Sequence, residues 1–231
     1  DIIRAWCESK GVTIRTDARV TRITPTEGQL EVAFEQQEPL LADLVISATG
    51  VRPNIDFLDG SGIEAEAGIL VDEYLASSDP NIYAAGDVAQ APDLLSEQRT
   101  VMAVQPVAVE HGRLAAINMV KSGTLAWQGS INMNVLDMLG LVSCSFGLWM
   151  GVDGGESSQL YNPDEFQYIN LQFEGDHLVG ASSVGKTQHI GVLRGLIESK
   201  VHLGEWKQRL MEDPTAIMEA YVGCTQELGY S

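Results

Sequence analysis

Apolar positions change their spacing several times along this chain, and each spacing predicts a different element. Ile2, Ile3, Trp6 and Cys7 recur at helical intervals with Gly11 as a stop, so a helix is predicted to lead into a strand at Val12, Thr13 and Ile14. Val20 and Arg22, then Leu30, Val32 and Phe34, alternate as a small antiparallel meander, and Leu44, Val45 and Ile46 are expected to close it. Ile82, Tyr83, Ala84 and Ala85 make a short apolar run bounded by turn residues, the pattern of a buried strand. From Gln105 to Val120 the sequence reads as a helix, with Pro106 in the first turn and Gly123 as the stop. Residues 51–65 and 90–100 read as loops by composition. Beyond residue 124, apolar positions from Val135 to Val142 precede Phe146 to Met150. Residues 166–173 then alternate, and Glu174, Gly175, Asp176 and His177 connect them tightly to Leu178, Val179, Gly180 and Ala181, which predicts a hairpin. Two or three helices should follow, the first with Ile190, Leu193, Leu196 and Ile197 on one face.

Composition narrows the function classes. With 231 residues, 45% of them hydrophobic, the chain can bury one large core or two modest ones. A formal charge of −18 with only 14 Lys and Arg argues against a nucleic-acid partner, because phosphate binding needs clustered cations, and against an anionic membrane. No stretch approaches the ~20 apolar residues of a membrane span. Asp1, Arg4, Glu8 and Lys10 stand where a signal peptide would need an apolar core, so a soluble cytoplasmic protein is expected. Cys7, Cys144 and Cys224 are odd in number and far apart, and read as reduced packing residues. His177, His189 and His202 have no cysteine or carboxylate at ligand spacing, and no metal is expected.

Two glycine-bearing strand ends carry the candidate chemistry. In the first, Gly86 would let a backbone approach closely and Asp87 would offer an acceptor to a sugar-like hydroxyl, since ligands of open α/β sheets lie beyond the carboxyl ends of strands. The same residues also fit a strand ending in an ordinary turn. In the second, Gly180, Gly185, Lys186 and Thr187 satisfy the P-loop pattern, which makes NTP binding an alternative. A P-loop domain needs further parallel strands, yet the residues after Thr187 read as helices and those before the motif as a hairpin arm. No Gly-x-Gly-x-x-Gly loop for a pyrophosphate occurs in the chain. His111, alone on its predicted helix, reads as structural or solvated rather than as an acid or base.

Residues 43–54 (including Ala48, Thr49, Gly50, Val51, Arg52 and Pro53), 68–73 (Gly68 to Glu73) and 77–87 resemble, in that order, the second half of the two-dinucleotide-domain flavoproteins, the pyridine nucleotide-disulfide reductase class. The resemblance implies an FAD-dependent NAD(P)H oxidoreductase, in which hydride passes from the nicotinamide to the flavin and on to an acceptor. It places Asp87 at the ribityl chain with Gly86 giving access. Thr49 and Gly50 would line the junction between nicotinamide and flavin domains. The helix from Gln105 would point at the flavin ring, with backbone contacts at Pro106, Val107 and Ala108. No catalytic side chain is assigned. The thiol-reducing members use a His-Pro dipeptide, which this sequence lacks, and that sets His111 further aside.

Residues 178–181, 193–197 and 206–210, with Pro214 and residues 218–221, resemble the small C-terminal domain of NADH oxidases, rubredoxin reductases and the flavin portion of assimilatory nitrite reductases. The expected fold is therefore α/β: partial FAD/NAD(P)-binding Rossmann-like domains (1–50 nicotinamide, 51–123 flavin), followed by a small α+β dimerisation-type domain at 124–231. Without the pyrophosphate loop, the chain is expected to be a fragment, or one half of a split flavoprotein. Expected partners are an N-terminal FAD/NAD(P)-binding half or homologous subunit, a second copy of the chain through residues 124–231, and a redox acceptor protein. The alternative from another class is a flavin-free interaction or dimerisation module.

Overall fold

A computed structural model describes residues 1–96 and 98–228, with side chains through residue 225; the last three residues of the expected 124–231 domain lie outside the described residues. Two compact units are present, Cys7–Arg52 by itself and Pro53–Ser231 together with Asp1–Trp6.

The smaller unit is the expected meander. Strands β1 (Val20–Thr26), β2 (Gln29–Phe34) and β3 (Leu40–Ala42) pair antiparallel in that order, with Ile23 opposite Val32. A two-residue turn joins β1 to β2, where Gly28 at φ 82° supplies the left-handed residue that the strand twist demands. The closing strand is Leu40–Ala42 rather than Leu44 to Ile46. Residues 43–52 have no regular structure, and Leu44 and Ile46 are 73% and 79% exposed. A continuous apolar run suits a parallel strand covered on both faces, and no described residue pairs with this one. The expected strand at Val12 to Ile14 is likewise absent.

Helix α1 (Ile2–Ser9) begins in the larger unit, where Ile2, Ile3 and Trp6 lie against Leu141, Val184, Phe166 and Tyr168. The Trp6 indole donates to the Met138 carbonyl at 2.8 Å. Strands β4 (Ile69–Leu70), β5 (Ala89–Pro92) and β6 (Arg99–Val101) form a small mixed sheet, β4 parallel and β6 antiparallel to β5. Strand pairing thus replaces the two ends of the loop expected at residues 90–100. Asp56–Leu58 makes a single 3-10 turn within the loop expected at 51–65.

The predicted strand at Ile82 to Ala85 reduces to one bridge between Ala76 and Tyr83, extended by the Ala84 amide donating to the Leu75 carbonyl. Leu75 sits at φ 64°, which turns the partner segment away and stops the ladder there. Helix α2 (Gln105–Val120) buries Val107, His111, Leu114, Ala115 and Asn118 on one stripe. Leu114 and Ala115 pack on Ile69, Val71, Leu75, Ala84, Ala89 and Ala91. Asn118 is fully buried and fully engaged: its amide donates to the Tyr74 and Leu125 carbonyls, and its carbonyl oxygen accepts from the Thr124 and Leu125 amides.

The rest of this unit is one antiparallel sheet in the order β7 (Met133–Met138), β8 (Leu141–Gly147), β11 (His177–Val184), β10 (Gln167–Glu174), β9 (Glu156–Asn162). The predicted hairpin is β10–β11, closed by Glu174 opposite His177. Alternation on β10 turns Ile169, Leu171 and Phe173 inward. Helices α3 (Ile190–Ser199), α4 (Glu205–Glu212) and α5 (Ile217–Leu228) pack over that face, with Leu193, Leu196, Ile197, Leu210 and Ala220 in a shared core. Each of the larger of these side chains contributes about 1.5–3 kcal/mol of burial.

Candidate functional site

The Gly86 turn and the start of α2 meet. Extended backbone at Ala85 gives way to a 3-10 turn over Gly86–Val88, with Gly86 buried at φ 75°. A Cβ there would stand 3.2 Å from that of Ala108, so glycine is required both by conformation and by the close approach of α2. The Gly86 amide donates to His111 Nδ1 at 3.3 Å. Held from behind in this way, the turn leaves the Asp87 carboxylate exposed.

Helix α2 begins without a side-chain cap. Val104 at the N-cap is extended and offers no acceptor, and Pro106 has no N–H to satisfy. Ala108 donates to the Val104 carbonyl at 3.1 Å. Its amide, expected to be free for a ligand, belongs to the helix, and the amides of the first turn without an intrahelical carbonyl are those of Gln105 and Val107. The dipole makes this end the positive one. Pro106 and Val107 also line a cavity of about 170 Å³ shared with Trp127, Gly129, Arg194 and Glu198. Cofactor pockets run to ~300–1,000 Å³, so this cavity alone does not enclose a flavin.

The ionisable groups nearby are settled ones. Glu110 and Arg113 pair at 2.6 Å, and this hydrogen bond holds the Glu110 carboxyl below its ordinary range. His111 is 2% exposed, and burial pushes its pKa below the ordinary value. Away from this turn, in the core under the large sheet, the Cys144 thiol is buried and pushed up to about 11, which makes it inert.

Of the residues singled out from sequence, Gly86, Asp87, Pro106, Val107 and Ala108 come together around one turn and one helix end. Thr49 and Gly50 belong to the smaller unit, both exposed, with Gly50 at φ 90°. The P-loop pattern dissolves into packing: β11 is antiparallel to both its neighbours, and Gln188 and His189 separate Thr187 from α3. A Cβ on Gly180 would stand 2.3 Å from the Leu148 carbonyl carbon, and one on Gly185 2.2 Å from the Phe166 oxygen. Both glycines answer to close backbone approach between strands and turns. Sequence reasoning read His111 only as structural or solvated and passed over Asn118, although both fall on the buried stripe of α2 with Val107, Leu114 and Ala115. A polar residue at a core position was the available signal.

Residues 1–112 match the family described as pyridine nucleotide-disulphide oxidoreductase. The chain is 31% identical over 219 residues to NADH-dependent phenylglyoxylate dehydrogenase subunit epsilon of Aromatoleum evansii, covering 94% of this chain and 52% of that one. Among solved structures, an FAD-dependent pyridine nucleotide-disulphide oxidoreductase from Desulfovibrio vulgaris superposes with a TM-score of 0.77 at 21% identity, covering 98% of this chain and 59% of the other. Putidaredoxin reductase, in its covalent complex with putidaredoxin, gives a TM-score of 0.81 at 21% identity, covering 96% and 52%. The chain spans about half the length of these proteins. The segments around Gly50, Gly68 and Gly86 that resemble this class all fall within the residues 1–112 that match the pyridine nucleotide-disulphide oxidoreductase family.

Proposed function

We propose that this chain forms the flavin-holding and interface portion of an FAD-dependent NAD(P)H oxidoreductase. The observation that carries this reading is the Gly86 turn, packed on Ala108 and held by His111 so that Asp87 stands exposed beside the open end of α2. These residues fit FAD: a glycine cradle that a Cβ would fill, a free carboxylate for the ribityl hydroxyls, and an uncapped positive helix end for the electron-rich edge of the ring. Bound FAD would supply hydride acceptance and onward electron transfer. Asp87 would accept from the sugar-like chain, the Gln105 and Val107 amides would favour negative charge, and Thr49 and Gly50 would line the nicotinamide junction. NAD(P)H is the proposed reductant, in keeping with the NADH-dependent relative.

The proposed partners follow from exposed apolar surface. Leu44, Ile46 and Val51 lie in a strand-like sequence without a strand partner among the described residues, and Val51 is 85% exposed. We assign to them a complementary FAD/NAD(P)-binding half, carried by the same polypeptide or a homologous subunit. Trp149 and Met150, with Leu136 and Leu139 on the β7–β8 hairpin, are exposed in the C-terminal region and support a homodimer through residues 124–231. A redox acceptor protein completes the proposal, by analogy with the putidaredoxin complex. Among the described residues no helix is long and apolar enough to cross a membrane, and none of the three cysteines is in a disulfide. A reducing cytoplasm suits them.

The test is an absorption spectrum of the complete polypeptide carrying these residues, purified with excess FAD and freed of unbound flavin. Stoichiometric flavin bands that bleach with NADH or NADPH under anaerobic conditions are expected. A colourless protein after reconstitution would overturn the reading. Sedimentation showing a monomer at high micromolar concentration would remove the homodimer.

A further inference from the structure

His111 occupies a core position that an apolar residue would fill at lower cost. Its ring is 2% exposed, and Nε2 has no hydrogen-bond partner among the described residues. Burying an imidazole with one nitrogen unsatisfied is unfavourable unless the other nitrogen does something that Leu cannot. Nδ1 accepts the Gly86 amide at 3.3 Å. That amide is inside the protein, at a residue with φ 75°, where the preceding ladder has already ended and no carbonyl among the described residues takes it. The ring is steered to it by Trp127, which meets it edge to face with centroids 4.5 Å apart and planes at 84°. Trp127 is itself fixed at two points, its indole donating to the Pro92 carbonyl at 3.1 Å and its amide to the Glu73 carbonyl at 2.6 Å.

We propose that His111 is a positioning residue: as the neutral Nε2–H tautomer it holds the Gly86 amide and so sets the turn that delivers Asp87, and a second proton on the ring releases that turn. The first half needs only elementary donor counting. Nδ1 can accept from an N–H only when it carries no proton, so the single proton of the neutral ring resides on Nε2. In the imidazolium both nitrogens donate, and an N–H would face an N–H across the turn. The titratable groups around the ring do not rescue the charged form. Glu110 lies on the same helix but is committed to Arg113. Asp87 on the turn is exposed, the Tyr83 hydroxyl donates to the Asn118 carbonyl, and Glu73 meets this cluster through its backbone carbonyl. Burial disfavours the charged ring accordingly. The consequence for function rests on the flavin reading above, since releasing the turn matters to a ligand only if Asp87 holds one.

The test uses the 231-residue chain without flavin, in three forms: native, His111→Asn and His111→Leu. Asn keeps an acceptor oxygen near the Nδ1 position and does not titrate; Leu removes the acceptor. Imidazole ¹⁵N spectra should show the Nε2–H tautomer in the native chain. Hydrogen exchange of the Gly86 amide, corrected for intrinsic rates, should be about tenfold faster in His111→Leu than in the native chain and near native in His111→Asn. As pH falls below the ordinary imidazole value of about 6.5, which burial lowers for His111 in the fold, the native chain should progressively lose that protection while His111→Asn keeps it. An Nδ1–H tautomer, equal exchange in native and Leu forms, or the same acid loss in the Asn form would overturn the proposal. If His111→Leu does not fold, the tautomer and the Asn comparison still decide. None of these outcomes depends on FAD, so a protein that passes them and yet binds no flavin would refute the flavin reading alone.

Discussion

Two stretches of this chain end in glycine patterns that nucleotide-binding proteins use, and the structure treats them differently. At Gly86 the backbone turns with positive φ into contact with a 16-residue helix, and the next side chain is a free carboxylate. At Gly180 to Thr187 the glycines relieve backbone crowding inside an antiparallel sheet, and the helix that should receive a phosphate begins three residues late, at Ile190. The lesson is that a glycine motif takes its meaning from what its strand pairs with and where the following helix starts. Spacing alone does not separate a ligand cradle from a packing requirement.

The comparison can be broken first at its supports. Asn118 ties the end of α2 to the segments at Tyr74 and Leu125 through four hydrogen bonds. Asn118→Ala would leave several buried backbone groups without partners and should cost about 2–4 kcal/mol in chemical denaturation. A loss below about 0.5 kcal/mol would mean that the clamp does not hold the helix carrying the site. Gly180→Ala comes next, at about 1–3 kcal/mol, because the added methyl meets backbone rather than a movable side chain. Were Gly180 instead a phosphate-loop glycine, the same change would leave stability alone and abolish nucleotide binding.

Acid titration sharpens the first region. His111 has its pKa depressed in the folded chain, so the unfolded chain binds more protons as pH falls through the ordinary imidazole value of about 6.5. Stability from this residue is therefore complete above that value and lost progressively below it. The native chain should fall more steeply than His111→Asn over that window, and parallel curves would contradict the assignment. The smallest effect belongs to the second region: Lys186→Ala should change stability by less than about 0.5 kcal/mol, with no nucleotide-dependent shift in Tm in either form.

Much of this architecture was legible in the sequence where one periodicity held over a whole element. Strand β10 shows strict alternation, with inward Ile169, Leu171 and Phe173, and the start of α2 is marked by Pro106. Leu44 to Ile46 misled because an apolar run specifies a buried strand only when neighbours exist to bury it. Ile82 to Ala85 misled because a left-handed Leu75, invisible to hydrophobic pattern, ends the ladder from the other side. At the site, Gly86 and Asp87 were readable as residues, but their support was not. His111 and Asn118 look like polar interruptions of an apolar stripe until the amides they satisfy, 25 and 6 to 7 positions away, are brought beside them.

The most direct test of the central claim is the FAD affinity of the complete polypeptide carrying Asp87→Ala, set against the native form and against Lys186→Ala. Loss of one charged hydrogen bond predicts weakening of about 1.5–3 kcal/mol, on the order of ten- to 150-fold in Kd, for the Asp87 variant and none for the Lys186 variant. Unchanged affinity in the folded Asp87 variant would contradict the account and return the Gly86 turn to an ordinary structural corner.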